Sequence, residues 1–589
     1  MTIPTLSESS GLLGGRRVAT QADPDVECDR SSSSTRRILA TIGIFTLAGA
    51  VLVHLSSSGG KENADGALLR APRIGSKAPV VKGSPEVVVE EPPPPSDLPL
   101  LGKKHMKHHK EEEGETGDTT EGPTVPTKRC KWVVDLFTEK YAGKDEEELR
   151  QQYAVQSADS NVFYRATADI FWIDFVQGGW HDRIKFENIG IEAKQMDGTD
   201  LQPRSTWTWV TGDQHLSNFG AWRNRGGEVV FSVNDFDEAA IYDFQVDVLR
   251  IAVSVCSHAF TNGLDARSIH EVLHAFTDTY VETLEDYVGG DRELLYELTP
   301  KTASGSLKKF LTNLRDDKSG KGLVQKFTKT DKHGNRSFIC DDNTRLVKIS
   351  AEVEQAIRAQ FTHDKFGATM MHMGWHARYW DDDYFEVLDV AARVGSGVGS
   401  YGVDRYYVLL KGEDGLLGED DEDGTAVILD VKFEPSGAVS KVLTEDEIAW
   451  YDVLFAHDAQ RAIEAQRRLT SYVDPFTGWI MLNGEAFVVR QRSPWKDSPS
   501  LDSLTDPADF IDFMEQVAVA TATSHARGTV SKSPGQFKHV IASALGHWAD
   551  RQAWGRAVAS AAMHYREQVL LDWQCFKEFV DENYGSNNG

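Results

Sequence analysis

An α+β fold with two lobes is predicted by three observations. Helical apolar spacing recurs on both sides of a middle stretch, around residues 161–176 and again after 501. That middle stretch, 391–500, is dominated by short β-prone runs with turn formers between them. Forty per cent apolar content and 14 Trp in 589 residues supply a core larger than one ordinary domain needs. The formal net charge of -27 argues against a nucleic-acid partner, which selects for a basic face.

The first 128 residues read as delivery rather than chemistry. A polar leader, 1–37, precedes ILATIGIFTLAGAVLVHL at 38–55, an uncharged run. Eighteen helical residues span about 27 Å, close to the bilayer's hydrocarbon thickness. Arg36 and Arg37 abut the leader side, so the positive-inside rule predicts a single-pass membrane protein with a cytoplasmic N-terminus. The remainder would then be lumenal or extracellular; cleavage within Ser56–Ser58 would instead release a secreted protein. Residues 56–128 have the composition of a disordered stalk, with Pro92–Pro95 and a basic block followed by an acidic one. Five cysteines, Cys28, Cys130, Cys256, Cys340 and Cys575, show no CxxC spacing, which speaks against a zinc or dithiol site. The four beyond residue 55 are either disulfides of an oxidising lumen or buried thiols. Asn335-Arg336-Ser337 is a glycosylation sequon that matters only in a lumenal setting.

The first chemical block lies in segment 129–390. NVFYRATADIFWIDFV, 161–176, has the apolar spacing of a helix. WTWV then runs into the turn Gly212-Asp213 of VTGDQHLSNFGAW, and a hairpin around residues 224–227 leads through EVVFSV to Asp235 and Asp237. Asp213, Asn218 and Asp235 are therefore expected around one hairpin. Acids at the ends of apolar runs are costly unless water, a metal or a phosphate uses them.

The second block lies in 391–500. AARVGSGVGSYGVDRYYVLL holds Gly397, Gly399 and Gly402 between two strand-like runs, whereas a dinucleotide fold would follow such a turn with a helix. AVILDVKFE is a further strand, carrying Lys432, and GWIMLNGEAFVVRQR reads as a hairpin turning at Asn483-Gly484. EDEIAWYDVLFAHDAQRAIEAQRRL is helix-like. Segment 501–589 is helical and completes the larger lobe.

The first block resembles the catalytic region of the protein-kinase-like fold, closest to its aminoglycoside and choline phosphotransferase branch, with H-G-D-x-H-x-x-N followed by an Asp-containing element. Thr211 stands where that pattern has its first His, and Asp237 where kinases have a Gly. The second block resembles the Gly-rich loop and strand lysine of the same fold, but in reversed chain order, as in a circular permutation. The succession FYRA, GDQHLSNFG, NDFDE, VDVLRIAVS, VGSGVGSYG, LDVKF, EAQRRL, VVRQRSPWKDS and SHARG, over about residues 160–530, resembles the family called domain of unknown function 2252. Ala166 and Gly528-Thr529 depart from that family's pattern at loop positions.

The resemblance implies an ATP- and magnesium-dependent phosphotransferase acting on an unidentified small-molecule or protein hydroxyl. In it Asp213 orients the acceptor, His215 braces the loop, and Asn218 and Asp235, with Asp237 in addition, hold Mg2+. Gly397, Gly399 and Gly402 cover the phosphates, Lys432 grips them, Glu464 (or Glu447) positions the lysine, and Gln491 ends the strand leading to the adenine site. Asp247 is expected to hold the loop backbone, and His525 and Arg527 to be structural. The alternatives are a nucleotide-binding pseudokinase, AMP transfer on the same fold, and a metallophosphoesterase; for the last, the additional G-N-H-E/D element is missing from the sequence.

Overall fold

Side chains that can accept from the first free backbone amides decide where the helices begin. The computed structural model describes residues 127–585, apart from 195–197, 203, 225, 373–383, 396–402, 412–425 and 530–535, and these residues fall in one compact unit. The leader, the apolar span 38–55, nearly all of the stalk, and Gly397, Gly399 and Gly402 lie outside the described residues. Among the described residues no helix is long and apolar enough to cross a membrane.

The N-terminal helices are α1 (Thr127–Lys140), α2 (Glu146–Gln156), α3 (Ser160–Ala166) and α4 (Ala168–Val176). Asp145 and Asp159 cap α2 and α3. The single helix predicted over 161–176 is two, because Thr167 leaves helical geometry and its hydroxyl donates to the Tyr164 carbonyl at 2.9 Å. Two small antiparallel pairs follow: β1 (Trp207–Val210) with β4 (Ala240–Asp243), and between them in sequence β2 (Phe219–Arg223) with β3 (Val229–Val233). β4 was not foreseen, since AIYD has neither length nor alternation to mark it. Helices α5 (Gln245–Thr261), α6 (Ala266–Tyr287), α7 (Gly305–Asp317) and α8 (Gly320–Phe327) come next. A short hairpin of β5 (Thr328–Thr330) and β6 (Arg336–Phe338) carries Asn335, exposed at its turn.

A six-stranded antiparallel sheet then forms in the order β11-β12-β10-β9-β8-β7. Its members are β7 (Leu346–Val347), β8 (Val387–Arg393), β9 (Arg405–Leu410), β10 (Val427–Phe433), β11 (Gly478–Leu482) and β12 (Glu485–Gln491). The sheet starts before residue 391, drawing in β7 across α9 (Ala351–Arg358) and α10 (Ala368–His372). The β11–β12 turn sits at Asn483-Gly484, with φ of 53° and 90°, the left-handed pair that a two-residue hairpin requires.

Successive strand residues face opposite sides, and β10 uses both. Val427, Leu429 and Val431 bury in an apolar cluster with Phe366, Phe476 and Val489. On the other face Ile428 is apolar, but Asp430, Lys432 and, just past the strand end, Glu434 are ionisable and buried. Helix α12 (Asp458–Leu469) covers part of that face, packing Ala459, Ala462 and Ile463 on Ala486 and Val488. The predicted helix 445–469 is interrupted: α11 (Glu445–Leu454) ends at extended Phe455, and His457 starts α12 by accepting from Gln460 N at 3.1 Å.

The helical body closes with α13 (Pro507–Arg527), which packs along α6, then α14 (Gln536–Leu545) and α15 (Trp548–Tyr584). Nearly all of α5 is buried among these helices. The first and last helices of the described fold are tied together: Arg129 donates to Asp174 at 2.7 and 2.6 Å and to Asp572 at 3.0 and 2.7 Å, and Cys130 forms a disulfide with Cys575. Cys256 is a buried thiol and Cys340 a half-buried one.

Candidate functional site

The turn after β1 is a backbone problem solved by three side chains. Gly212 has φ of 74°, and a Cβ there would lie 2.0 Å from the Glu238 carbonyl oxygen, so only glycine fits. Asp247 of α5 accepts from Thr211 N at 2.7 Å and Gly212 N at 2.9 Å, and its Oδ2 lies 2.9 Å from the Thr211 hydroxyl. Trp172 of α4 donates its indole N–H to the Gly212 carbonyl at 2.8 Å. Asp247 is thus the backbone clamp expected of it. The hydroxyl of Thr211 serves the same clamp, so the missing first His leaves no gap. His525 stacks behind, its Nε2 3.3 Å from Asp247 and its Nδ1 2.8 Å from the Tyr280 hydroxyl. Arg527 donates to the carbonyls of Glu293 and Tyr296. Both are structural, as expected.

Held this way, Asp213 enters a cavity of about 150 Å³ whose walls also carry His215, Asn218, Asp235, Asp237 and Lys432. Six residues singled out in the sequence are therefore in one place, and Lys432 reaches it from 195 positions beyond Asp237, whose carboxylate it contacts directly. Arg250 of α5, wholly buried, donates to Asp213 at 2.5 Å, and its guanidinium lies 4.3 Å from the Tyr164 ring and donates to the Tyr164 carbonyl at 2.9 Å. Burial, with the negative charges of Glu238 and Asp235, pushes the Asp213 carboxyl up to about 7 against the pull of Arg250. Arg250 is itself raised by Asp213, which requires the carboxylate form. The ionised pair is the consistent state, because a guanidinium with no solvent contact needs a counter-charge at 2.5 Å.

His215 is buried, and burial followed by the charges of Arg250 and Arg165 pushes its imidazole well below its ordinary value. It is neutral and lies 3.7 Å from Asp213, too far for a hydrogen bond. The loop is held instead by its backbone, with His215 N donating to the Asp213 carbonyl and Asn218 N to the His215 carbonyl, both at 2.9 Å.

Asn218 Nδ2 donates to the Asp213 carbonyl at 2.8 Å, which fixes the amide orientation and leaves its oxygen available to accept or coordinate. Asn234 N donates to the Asn218 carbonyl at 3.2 Å and ties the two acidic segments together. Asp235 Oδ1 is buried without a hydrogen-bond partner. An orphaned carboxylate oxygen and a free amide oxygen in one cavity are a donor set that suits a hard divalent cation completed by phosphate and water. Among the described residues no three His, Cys, Asp or Glu side chains converge as a metal cage.

Two expected partnerships are corrected. Glu464 does not meet Lys432; it pairs with Arg467 at 3.4 Å, one turn along α12. Glu447 is taken by the capping box of α11 and by Arg204 at 2.9 Å. Asp237 fills the lysine-partner position, because the segment after β3 passes under β10 and brings its carboxylate to the amine. Asp237 is accordingly held well below the usual carboxylate range by Lys432 against the cost of burial, and so stands as a counter-ion rather than as a free metal ligand. Gln491 lines a separate, neighbouring cavity, and its N–H donates to Asp474 at 3.2 Å.

Four residues were missed. Arg250 announced itself only as a charge three residues after Asp247 in an otherwise apolar helix. Arg165 and Glu238 line the cavity from FYRA and NDFDE, motifs that were noted without roles for these members. Glu434, two residues after Lys432 on the same face, is buried with neither oxygen hydrogen-bonded; burial and then the Asp237 charge push its carboxyl far up, against Lys432 and against Arg461, whose Nη2 lies 4.0 Å away.

Fold and site together define a mixed α/β protein with a charged cavity where a strand lysine from an antiparallel sheet meets acids from a helix-braced loop. The chain belongs to the family described as uncharacterized protein conserved in bacteria (DUF2252), which matches residues 144–579, beyond the 160–530 legible from its motifs. No curated protein and no solved structure matches the chain.

Proposed function

We propose that this protein is an ATP-dependent phosphotransferase acting on a hydroxyl acceptor, with the division of labour of the kinase-like fold in permuted chain order. The observation that carries the reading is the meeting of Lys432 with Asp213, Asn218 and Asp235 in one cavity across some two hundred residues of sequence. Phosphoryl transfer needs little covalent help from protein; it needs positioning and charge compensation. Asp213 faces the cavity, orients the acceptor hydroxyl and takes its proton as the oxygen–phosphorus bond forms and the bond to ADP breaks. Arg250 keeps that carboxylate in place. Asn218 and Asp235 would hold Mg2+, which neutralises charge on the phosphates. Lys432, released from Asp237, would contact the donor phosphates.

The disulfide and an exposed sequon at Asn335 favour an oxidising, lumenal or extracellular setting behind the 38–55 anchor.

The test uses the purified full chain with magnesium and ATP labelled at either the α or the γ position. Transfer of γ-label is expected. Product carrying only α-label would make it an AMP transferase, and bound nucleotide without turnover a binding module. Asp213→Asn is expected to cut turnover on the order of a hundredfold or more with nucleotide affinity kept. An unchanged rate would remove Asp213 from its role.

A further inference from the structure

The segment Asn234-Asp235-Phe236-Asp237 has a cavity on each side. Its alternation sends Asp235 and Asp237 into the acidic cavity, and Asn234 and Phe236 into a second one of about 50 Å³. Arg490 and Lys496 line that second cavity together with Gln491 and Ser493. Arg490 lies directly across from Asp430 on β10–β12, so it shares a sheet face with Lys432 one rung further along.

The charges of Asp237, Asp430 and Asp474 act on Arg490, and that of Asp235 on Lys496; the first three carboxylates are engaged elsewhere, while Asp235 Oδ1 has no hydrogen-bond partner. Asp430 is paired with Arg405, Nε to Oδ1 at 2.6 Å. Asp237 is paired with Lys432. Asp474 accepts from Phe476 N at 2.9 Å, the Thr477 hydroxyl at 2.8 Å and Gln491 N at 3.2 Å. Neither the Arg490 guanidinium nor the Lys496 ammonium makes an ion pair or side-chain hydrogen bond among the described residues. The two cations repel each other, and among the described residues none of these carboxylates bonds to either, so an anion entering the cavity would be held by both. The cavity has room for one compact tetrahedral group.

We propose that Arg490 and Lys496, with Gln491 and Ser493, form an anion subsite that holds one phosphate group of the ligand, separate from the phosphates contacted by Lys432. It stands whether or not transfer occurs, since it concerns binding of an anion alone. The state of Lys496 agrees with it. First the neighbouring Arg490, then loss of solvation, push its amine down to about 7, against Asp235 and Asp430, with Arg405 adding to the depression. The side chain is nonetheless open to solvent at the cavity mouth, so the guanidinium rather than burial is the cause to rely on. A bound dianion would reverse that depression and draw in a proton.

Titration calorimetry of the full chain with sulfate tests this. Sulfate exchanges no proton near neutrality, so any uptake belongs to protein. At pH 8, in buffers of differing ionisation heat, the wild-type chain is expected to bind sulfate with net proton uptake. The Arg490→Ala/Lys496→Ala variant should bind at least tenfold more weakly. Lys496→Arg, which keeps the charge without titrating, should bind comparably with the uptake gone. No binding by the wild-type chain, undiminished binding by the double variant, or uptake that persists in Lys496→Arg overturns the proposal. Loss of transfer activity alone would not bear on it.

Discussion

Asp430 and Arg405 show how charge is carried inside the sheet. The carboxylate is almost wholly buried, and it is Arg405 that holds its pKa far below the ordinary 3.8 despite the cost of burial. A folded-state value below the unfolded one means that the pair contributes stability above about pH 4. That contribution is lost as the pH falls through the depressed value. Asp430→Asn takes a carboxylate away from the half-buried Arg405, a loss of about 1.5–3 kcal/mol. Denaturant unfolding at pH 6 should show that loss, and the variant should lose less further stability than the wild type on going to pH 3. Equal stability of the two proteins at pH 6 would refute this account.

Single residues also mark how far sequence reading reached. Asp213, Asn218, Asp235 and Lys432 were legible because each sits at a strand end or turn where an acid or amine is otherwise costly. Glu464 was misassigned because helical spacing says which residues share a face, not which charge across a gap is nearest. Asp237 was nearer, and that depends on how the chain after β3 passes under β10. Arg250 was visible as a charge in an apolar helix, but its partner was not, since α5 could have turned it toward any neighbour.

At the scale of elements, the loop between β1 and β2 depends on one glycine. Gly212→Ala forces a left-handed backbone costing about 1–3 kcal/mol and places a methyl group 2.0 Å from the Glu238 carbonyl oxygen. It should lower the denaturation midpoint and abolish turnover together, because the same loop presents Asp213. A variant of normal stability with normal turnover would show that the loop accommodates a side chain. Most strands were read correctly from alternation: β9, β10 and the β11–β12 hairpin each appear where predicted. Helix continuity was read less well. Breaks at Thr167 and at Phe455–His457 come from local competition by a hydroxyl and an imidazole for backbone groups, which apolar periodicity does not register.

For the whole molecule, the described fold is stapled end to end. Cys130 of α1 and Cys575 of α15 are 445 residues apart, and Arg129 bridges Asp174 and Asp572 beside them. Closing so long a loop restricts the unfolded chain, and losing it costs about 2–5 kcal/mol. Cys130→Ser should lower the unfolding midpoint under non-reducing conditions. Reductant should bring the wild-type chain down to the same midpoint and leave the variant unmoved. A wild-type midpoint indifferent to reductant would mean that the bridge contributes nothing.

What the amino-acid sequence by itself determined was local: turn glycines, strand alternation, the helical ends, and the polar residues too costly to be accidental. These depend on neighbours within a few positions, and family membership follows from their order. Only the tertiary structure decided which charges meet. Asp237 rather than Glu464 faces Lys432, Arg250 braces Asp213, Cys130 finds Cys575, and Arg490 and Lys496 line one cavity. Such pairings are set by distances across packed elements, and an electrostatic or covalent partner hundreds of residues away leaves no periodic trace in the chain.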